Sequence, residues 1–254
     1  MACVSAAFVG SAGAAYGQGK VVVSHDEWFT SPGYFNSNEQ RFVSNITNWF
    51  GVGSGANVLI YSSDPYLANS TFTTYLQSLG LHVTTNATAP SFSGYGAVFV
   101  EGNSGYDANG LAAYVNGGGN VVYIGGTGVG GSAGEAAYSN VFLNQFGLGF
   151  ASVYNGISGN VSTTGFDAQS PFGSSLFTGV ASVYANNGND VLNAISAPAG
   201  VTREVFYTSA YSDSREGVFG AASVTTTPEP NSMALLGTGL VGLLPLVRKR
   251  KRPV

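Results

Sequence analysis

The sequence contains one cysteine, Cys3, among its first few residues. A body without thiols has no intrachain disulfide, no cysteine metal site and no cysteine nucleophile. Histidine is nearly as scarce, with only His25 and His82. Charged residues make up 9% of the chain, against roughly 25% in ordinary soluble domains. The polar exterior must therefore be built from Ser, Thr, Asn, Gln and Gly, a composition suited to an extracellular protein. Basic residues are rarest of all in the body. Five of the nine Lys and Arg fall at 248–252, and only Glu229 of the thirteen Asp and Glu lies beyond residue 227. The body thus carries four basic and twelve acidic residues, a formal net charge of −8. Phosphate contacts need clustered Lys and Arg, so nucleic acid is excluded as a partner.

What the body lacks in charge and apolar length, the end of the chain concentrates. Pro228-Glu229-Pro230 leads into Met233 to Val247, 15 residues without a charge, and Arg248-Lys249-Arg250-Lys251-Arg252 closes the run. A membrane span needs roughly 20 residues, so this one is marginal, and Pro245 weakens it further. The basic cluster stays on the cytoplasmic side and places everything before it outside. The prolines keep the approach extended and open to a membrane-embedded protease. A motif, a span and a basic stop in that order resemble the PEP-CTERM sorting signal. That resemblance implies an exosortase as partner and a transient inner-membrane anchor in a Gram-negative bacterium. It further implies release to the cell surface or extracellular matrix, in association with exopolysaccharide. The alternative is a plain anchor that is never cut.

Residues 1–17 resemble a secretory signal, with small apolar residues and an A-x-A-like site near Ala15-Tyr16-Gly17, although a basic start is missing. Residues 20–224 read as one α/β domain, 225–232 as a linker carrying the motif, 233–247 as a transmembrane helix and 248–254 as a basic cytoplasmic tail. Within the domain, apolar runs such as Val21-Val22-Val23, Val58-Leu59-Ile60, Ala97-Val98-Phe99-Val100 and Val121-Val122-Tyr123-Ile124 predict strands. They alternate with helical patterns; Phe42, Val43, Ile46, Trp49 and Phe50 mark one helix face, capped by Ser37 with Gln40. A second helix ends at Gly80, and Asn109 caps a third. The alternation predicts a mostly parallel, flavodoxin-like sheet over about 20–150 with helices on both faces. Segments 150–154, 180–184 and 204–207 are expected to be edge strands of that same sheet.

Tyr114-Val115-Asn116-Gly117-Gly118-Gly119-Asn120-Val121-Val122, feeding a glycine turn, is similar to a segment of class I glutamine-amidotransferase-like proteins, including the ThuA-like ones. The resemblance implies a flavodoxin-like sheet and a nucleophile on the turn after the strand. Here that turn reads Gly125-Gly126-Thr127-Gly128, without cysteine. Thr127 would need a base, and His25, at a strand end, is better placed than His82, inside one. The alternative is a turn residue bonded to its own backbone. Gly126-Thr127-Gly128-Val129-Gly130-Gly131 also fits a dinucleotide fingerprint. It does not follow the first strand and lacks a ribose-binding acid, so no cofactor is expected.

His25, Asp26 and Glu27 sit together after the first strand, and Asp64 and Glu101 follow two others. Ligands of open parallel sheets gather outside those strand ends. His25, Asp26, Asp64, Glu101 and Thr127 are therefore the candidate ligand site. Ca²⁺, or a sugar stacked on Trp28 and Tyr106, would suit them; the other reading is that these acids cap turns. No catalytic set and no definite metal set is assigned. The four N-x-S/T sequons at Asn45, Asn69, Asn86 and Asn160 read as coincidence in so Asn- and Thr-rich a chain. The expected role is structural or binding rather than enzymatic, with a ThuA-like carbohydrate-processing hydrolase as the rival. A base within reach of Thr127, or acids clustered in one cleft, would favour the rival.

Overall fold

The computed structural model describes residues 18–88, 91–102, 105–168, 170–193, 196–208 and 216–225. The leader-like segment, the sorting motif, the apolar run and the basic tail lie outside the described residues. Among the described residues no helix is long and apolar enough to cross a membrane.

Five strands, β1 (Gly19–Ser24), β2 (Asn57–Tyr61), β3 (His82–Thr85), β4 (Ala97–Glu101) and β5 (Asn120–Ile124), run parallel in the spatial order β1-β5-β4-β2-β3. Numbered from β2, the first four follow the 2-1-3-4 order of flavodoxin-like sheets, and β1 takes the fifth place. The apolar runs of β1, β4 and β5 are covered on both faces, as parallel strands require. Helices α1 (Ser37–Phe50), α2 (Ser70–Ser78) and α5 (Pro171–Phe177) bury Phe42, Phe72 and Phe177 against Val22, Ile60 and Phe99 on one face. Helices α3 (Ala108–Asn116) and α4 (Gly131–Leu143) bury Leu111, Val115 and Phe142 against Val21, Leu59 and Val98 on the other. The period-2 alternation of Val21, Val22 and Val23 between the two layers fixes the register.

The caps differ by a residue or two from expectation. Asn36, not Ser37, caps α1, and its box partner is Glu39. Asp107, not Asn109, caps α3 by accepting the Gly110 N–H. In both cases the acceptor precedes the first helical residue, where free N–H groups are left over. Of the four sequon asparagines, Asn45 donates to the Leu176 and Thr178 carbonyls and Asn69 caps α2.

The second half departs from the expectation of edge strands. Among the described residues of the second half, only β10 (Val201–Thr208) is an edge strand of the main sheet. The strands near 150 and 182, β6 (Gly149–Tyr154) and β8 (Ser182–Asn186), leave it. β6 pairs with β9 (Asn189–Leu192), and β8 pairs with β7 (Ser158–Ser162), as two separate antiparallel ribbons. A further strand, β11 (Glu216–Val224), lies between β10 and β1, antiparallel to both and buried at every residue. Its Gly and Ala residues conceal it in a propensity reading. They serve close packing: a Cβ at Gly217 would stand 1.9 Å from the Val191 carbonyl oxygen of β9.

Candidate functional site

The carboxyl ends of β1, β2, β4 and β5 meet at one edge of the sheet. After β1 come His25, Asp26 and Glu27; after β2, Ser62 and Asp64; Glu101 ends β4, and the Gly125–Thr127 turn follows β5. Glu27, Asp64 and Glu101 converge, with one oxygen from each within 4.8 Å of the others. Glu101 is fully buried and accepts the Ser62 hydroxyl through Oε2 at 2.5 Å, leaving Oε1 unpartnered. Glu27 is 4% exposed and its Oε2 also lacks a partner. Asp64 is half-buried; its Oδ1 accepts the Tyr66 N–H at 2.8 Å in a turn. It thus caps a turn rather than a helix, since α2 begins later, at Ser70.

Among the described residues, the charges that bear on Glu27 and Glu101 are all negative. Burial pushes Glu27 up to about 10, and each neighbouring charge acting on it is another carboxylate, Asp64 first, then Glu101, Asp26 and Glu135. Burial, then Asp64, raises Glu101 well above the usual range, with the Ser62 bond opposing.

His25 and Asp26 point elsewhere and tie the ribbons to the sheet. The His25 Nδ1 bonds the Asn155 amide at 2.9 Å, and burial lowers the imidazole to about 3, so it stays neutral. Asp26 accepts the Trp28 N–H at 2.7 Å and the Asn186 N–H at 3.0 Å. Burial still raises it to about 7 against those two bonds. His82 lies exposed in β3, remote in the sheet order from β5.

Thr127 does not meet a histidine. Its hydroxyl donates to Glu135 of α4 at 2.5 Å. Gly126 and Gly128 take left-handed φ of 77° and 74° on either side, but Thr127 itself does not. Burial raises the Glu135 carboxyl, and the Thr127 bond opposes the shift. The Tyr154 hydroxyl sits against Glu135 outside ideal hydrogen-bond geometry and is raised to about 12 by burial and that carboxylate. Sequence reasoning missed Glu135; an isolated acid just after a Gly-, Ala- and Ser-rich first turn was the available signal.

Aromatic rings border the acids. Trp28 adjoins Glu27 in the chain, and its ring lies 4.8 Å from Tyr66, 5.5 Å from Tyr34 and 6.3 Å from Tyr184. Tyr34 and Tyr184 stack at 3.6 Å and 12°. All four are partly exposed. Tyr106, the other expected platform, packs on Tyr123 in the opposite layer and donates its hydroxyl to the Tyr138 carbonyl. At the amino edge of the sheet a separate cavity of about 420 Å³ is walled by Phe92, Tyr95, Tyr114 and glycines, with no acid or base in its lining.

Fold and edge together define a mixed α/β protein with a mostly parallel sheet and a carboxylate cluster at its carboxyl edge. Residues 226–251 match the family model of the PEP-CTERM protein-sorting motif. The chain therefore carries the signal that exosortases recognise, which marks an exported, membrane-transiting protein of Gram-negative bacteria. No curated protein and no solved structure matches the chain.

Proposed function

We propose that the α/β domain is a saccharide-binding module of the cell envelope, delivered by its sorting signal to the cell surface and associated there with exopolysaccharide. The supporting observation is the partly exposed platform of Trp28, Tyr34, Tyr66 and Tyr184 beside buried carboxylates. Sugar rings present C–H faces to aromatics and hydroxyls to carboxylates, so such a pairing suits them. In isothermal titration with neutral and acidic polysaccharides, Trp28→Ala and Tyr66→Ala should each weaken binding by about 10-fold, roughly the loss of one ring contact. Their melting temperatures should stay near that of the parent. Parent-like binding in both variants rejects the platform.

A second reading has its own support. Thr127 has a carboxylate, Glu135, at hydrogen-bond distance, and acids cluster nearby, which are the features named above for a carbohydrate-processing hydrolase of the ThuA-like kind. In that reading Glu135 takes the Thr127 proton as the hydroxyl attacks. Thr127 lacks the strained backbone of a nucleophile elbow, and the absent cysteine weighs against amidotransferase chemistry. Hydrolysis of a glycoside or ester panel that disappears in Thr127→Val would decide for this reading.

A further inference from the structure

The acids at the carboxyl edge are arranged for an ion rather than for each other. Three carboxylates from three different strand ends present oxygens within 4.8 Å of one another. Two of the three are more than nine-tenths buried, and each has an oxygen without a hydrogen-bond partner, Glu101 Oε1 and Glu27 Oε2. A caps-only role explains Asp64 Oδ1 and Glu101 Oε2, which are bonded to Tyr66 N–H and Ser62. It leaves the other two oxygens unexplained, and unmade bonds of buried charged groups are costly.

We propose that Glu27, Asp64 and Glu101 form a Ca²⁺-binding site at the carboxyl edge of the sheet. The donors are all oxygen, which selects a hard cation over zinc or copper. The number of carboxylates selects among hard cations. Ca²⁺ holds oxygens at about 2.3–2.6 Å, so two on opposite sides of it stand up to about 5 Å apart. Mg²⁺ keeps several of its waters and is usually held through one or two carboxylates rather than three. The half-buried Asp64 is the opening through which the ion enters and water completes its sphere. The site does not depend on saccharide binding, because the ion alone is the probe. A bound Ca²⁺ beside Trp28 and Tyr66 would also offer coordination to sugar hydroxyls at the platform.

The test uses the full-length chain in a non-ionic detergent. Ca²⁺ should bind one per chain by calorimetry, with a Kd of roughly 10⁻⁴–10⁻³ M as in extracellular Ca²⁺ modules. Saturating Ca²⁺ should raise the melting temperature by roughly 2–6 °C, and equal Mg²⁺ by less. Glu27→Gln and Glu101→Gln, which keep shape and remove charge, should each weaken Ca²⁺ at least ~10-fold. Terbium locates the ion: it replaces Ca²⁺ and luminesces when a nearby tryptophan is excited. The chain has two tryptophans. Trp28→Phe should abolish the emission, whereas Trp49→Phe, at the opposite edge beside Lys20, should keep it. Absence of Ca²⁺ binding, or binding that survives both Gln variants, or emission that follows Trp49, overturns the proposal and leaves the cluster held by shared protons.

Discussion

The carboxyl of Glu135 is buried, accepts the Thr127 hydroxyl and is pushed above the ordinary carboxylate range by desolvation. A group whose folded pKa exceeds its unfolded value keeps a proton in the native state that the unfolded chain has already lost. Its contribution to stability is whole below the unfolded value, near 4.5, and declines as pH rises through the folded one. Glu135→Gln retains the acceptor for Thr127 and removes the charge. The variant should match the parent at about pH 4 and melt higher by roughly 2–5 °C at about pH 8. Thermal melts at the two pH values check this, and an equal shift at both would show that packing rather than ionisation separates the proteins. The same variant bears on the hydrolase reading, because an amide cannot serve as the base for Thr127.

At the scale of elements, the two ribbons are what separates this sheet from a bare parallel one. They reach its carboxyl edge through backbone N–H groups: Asn189 N–H donates to the His25 carbonyl at 3.1 Å and Asn186 N–H to the Asp26 carboxylate at 3.0 Å. The turn between β8 and β9 is Asn187-Gly188, with Asn187 at φ 68°. A Cβ at Gly188 would stand 2.0 Å from the His25 carbonyl oxygen, which is backbone and cannot step aside. Gly188→Ala should therefore lift the turn, break both bonds and leave Asp26 poorly satisfied, lowering stability by about 2–4 kcal/mol. Urea denaturation measures the loss; an unchanged midpoint would refute the close approach. Neither contact was legible in the sequence. β1, β2, β4 and β5 were legible because each is an apolar run whose length fits a strand, and α1 because its apolar spacing repeats every turn. Of the ribbons only β6 and β8 were legible, as strands, since alternation says that a segment pairs but not with what; β7 and β9 were not. β11 was concealed because its fitness for the centre of the sheet lies in small side chains that lack a propensity signal. The meeting of Asp64 and Glu101 at one edge was legible because strand ends converge in parallel sheets. His25 and Asp26 look the same in sequence, and only the ribbon backbones, contributed from more than a hundred residues away, show how they are engaged.

At the scale of the whole molecule, the position of β11 links the body to its sorting signal. β11 runs antiparallel to β1, so Val224 pairs with Gly19 at the amino edge of the parallel strands, while Phe219 pairs with Ser24 toward the carboxyl edge. The chain leaves the sheet at Thr225, whose N–H donates to the Gly200 carbonyl, and residue 226 begins the sorting motif. The point of attachment and the carboxylate cluster thus lie at opposite edges. A body tethered at 225 keeps the cluster and the aromatic platform at the edge away from its point of attachment. Because β11 is an interior strand completed just before the motif, a cut within 226–232 leaves every described strand intact, and processing need not alter the fold. Recognition, by contrast, depends on residues outside the sheet. Glu229→Ala should leave the melting temperature of the body unchanged but retain the protein in the membrane fraction at its full mass, with residues 233–254 attached. Fractionation with mass spectrometry of the intact protein reads both outcomes. Release of Glu229→Ala at the parent's rate and mass would mean that the motif is not what the processing enzyme reads. Retention accompanied by a lowered melting temperature would mean that the tail supports the fold, contrary to a sheet that closes at Val224.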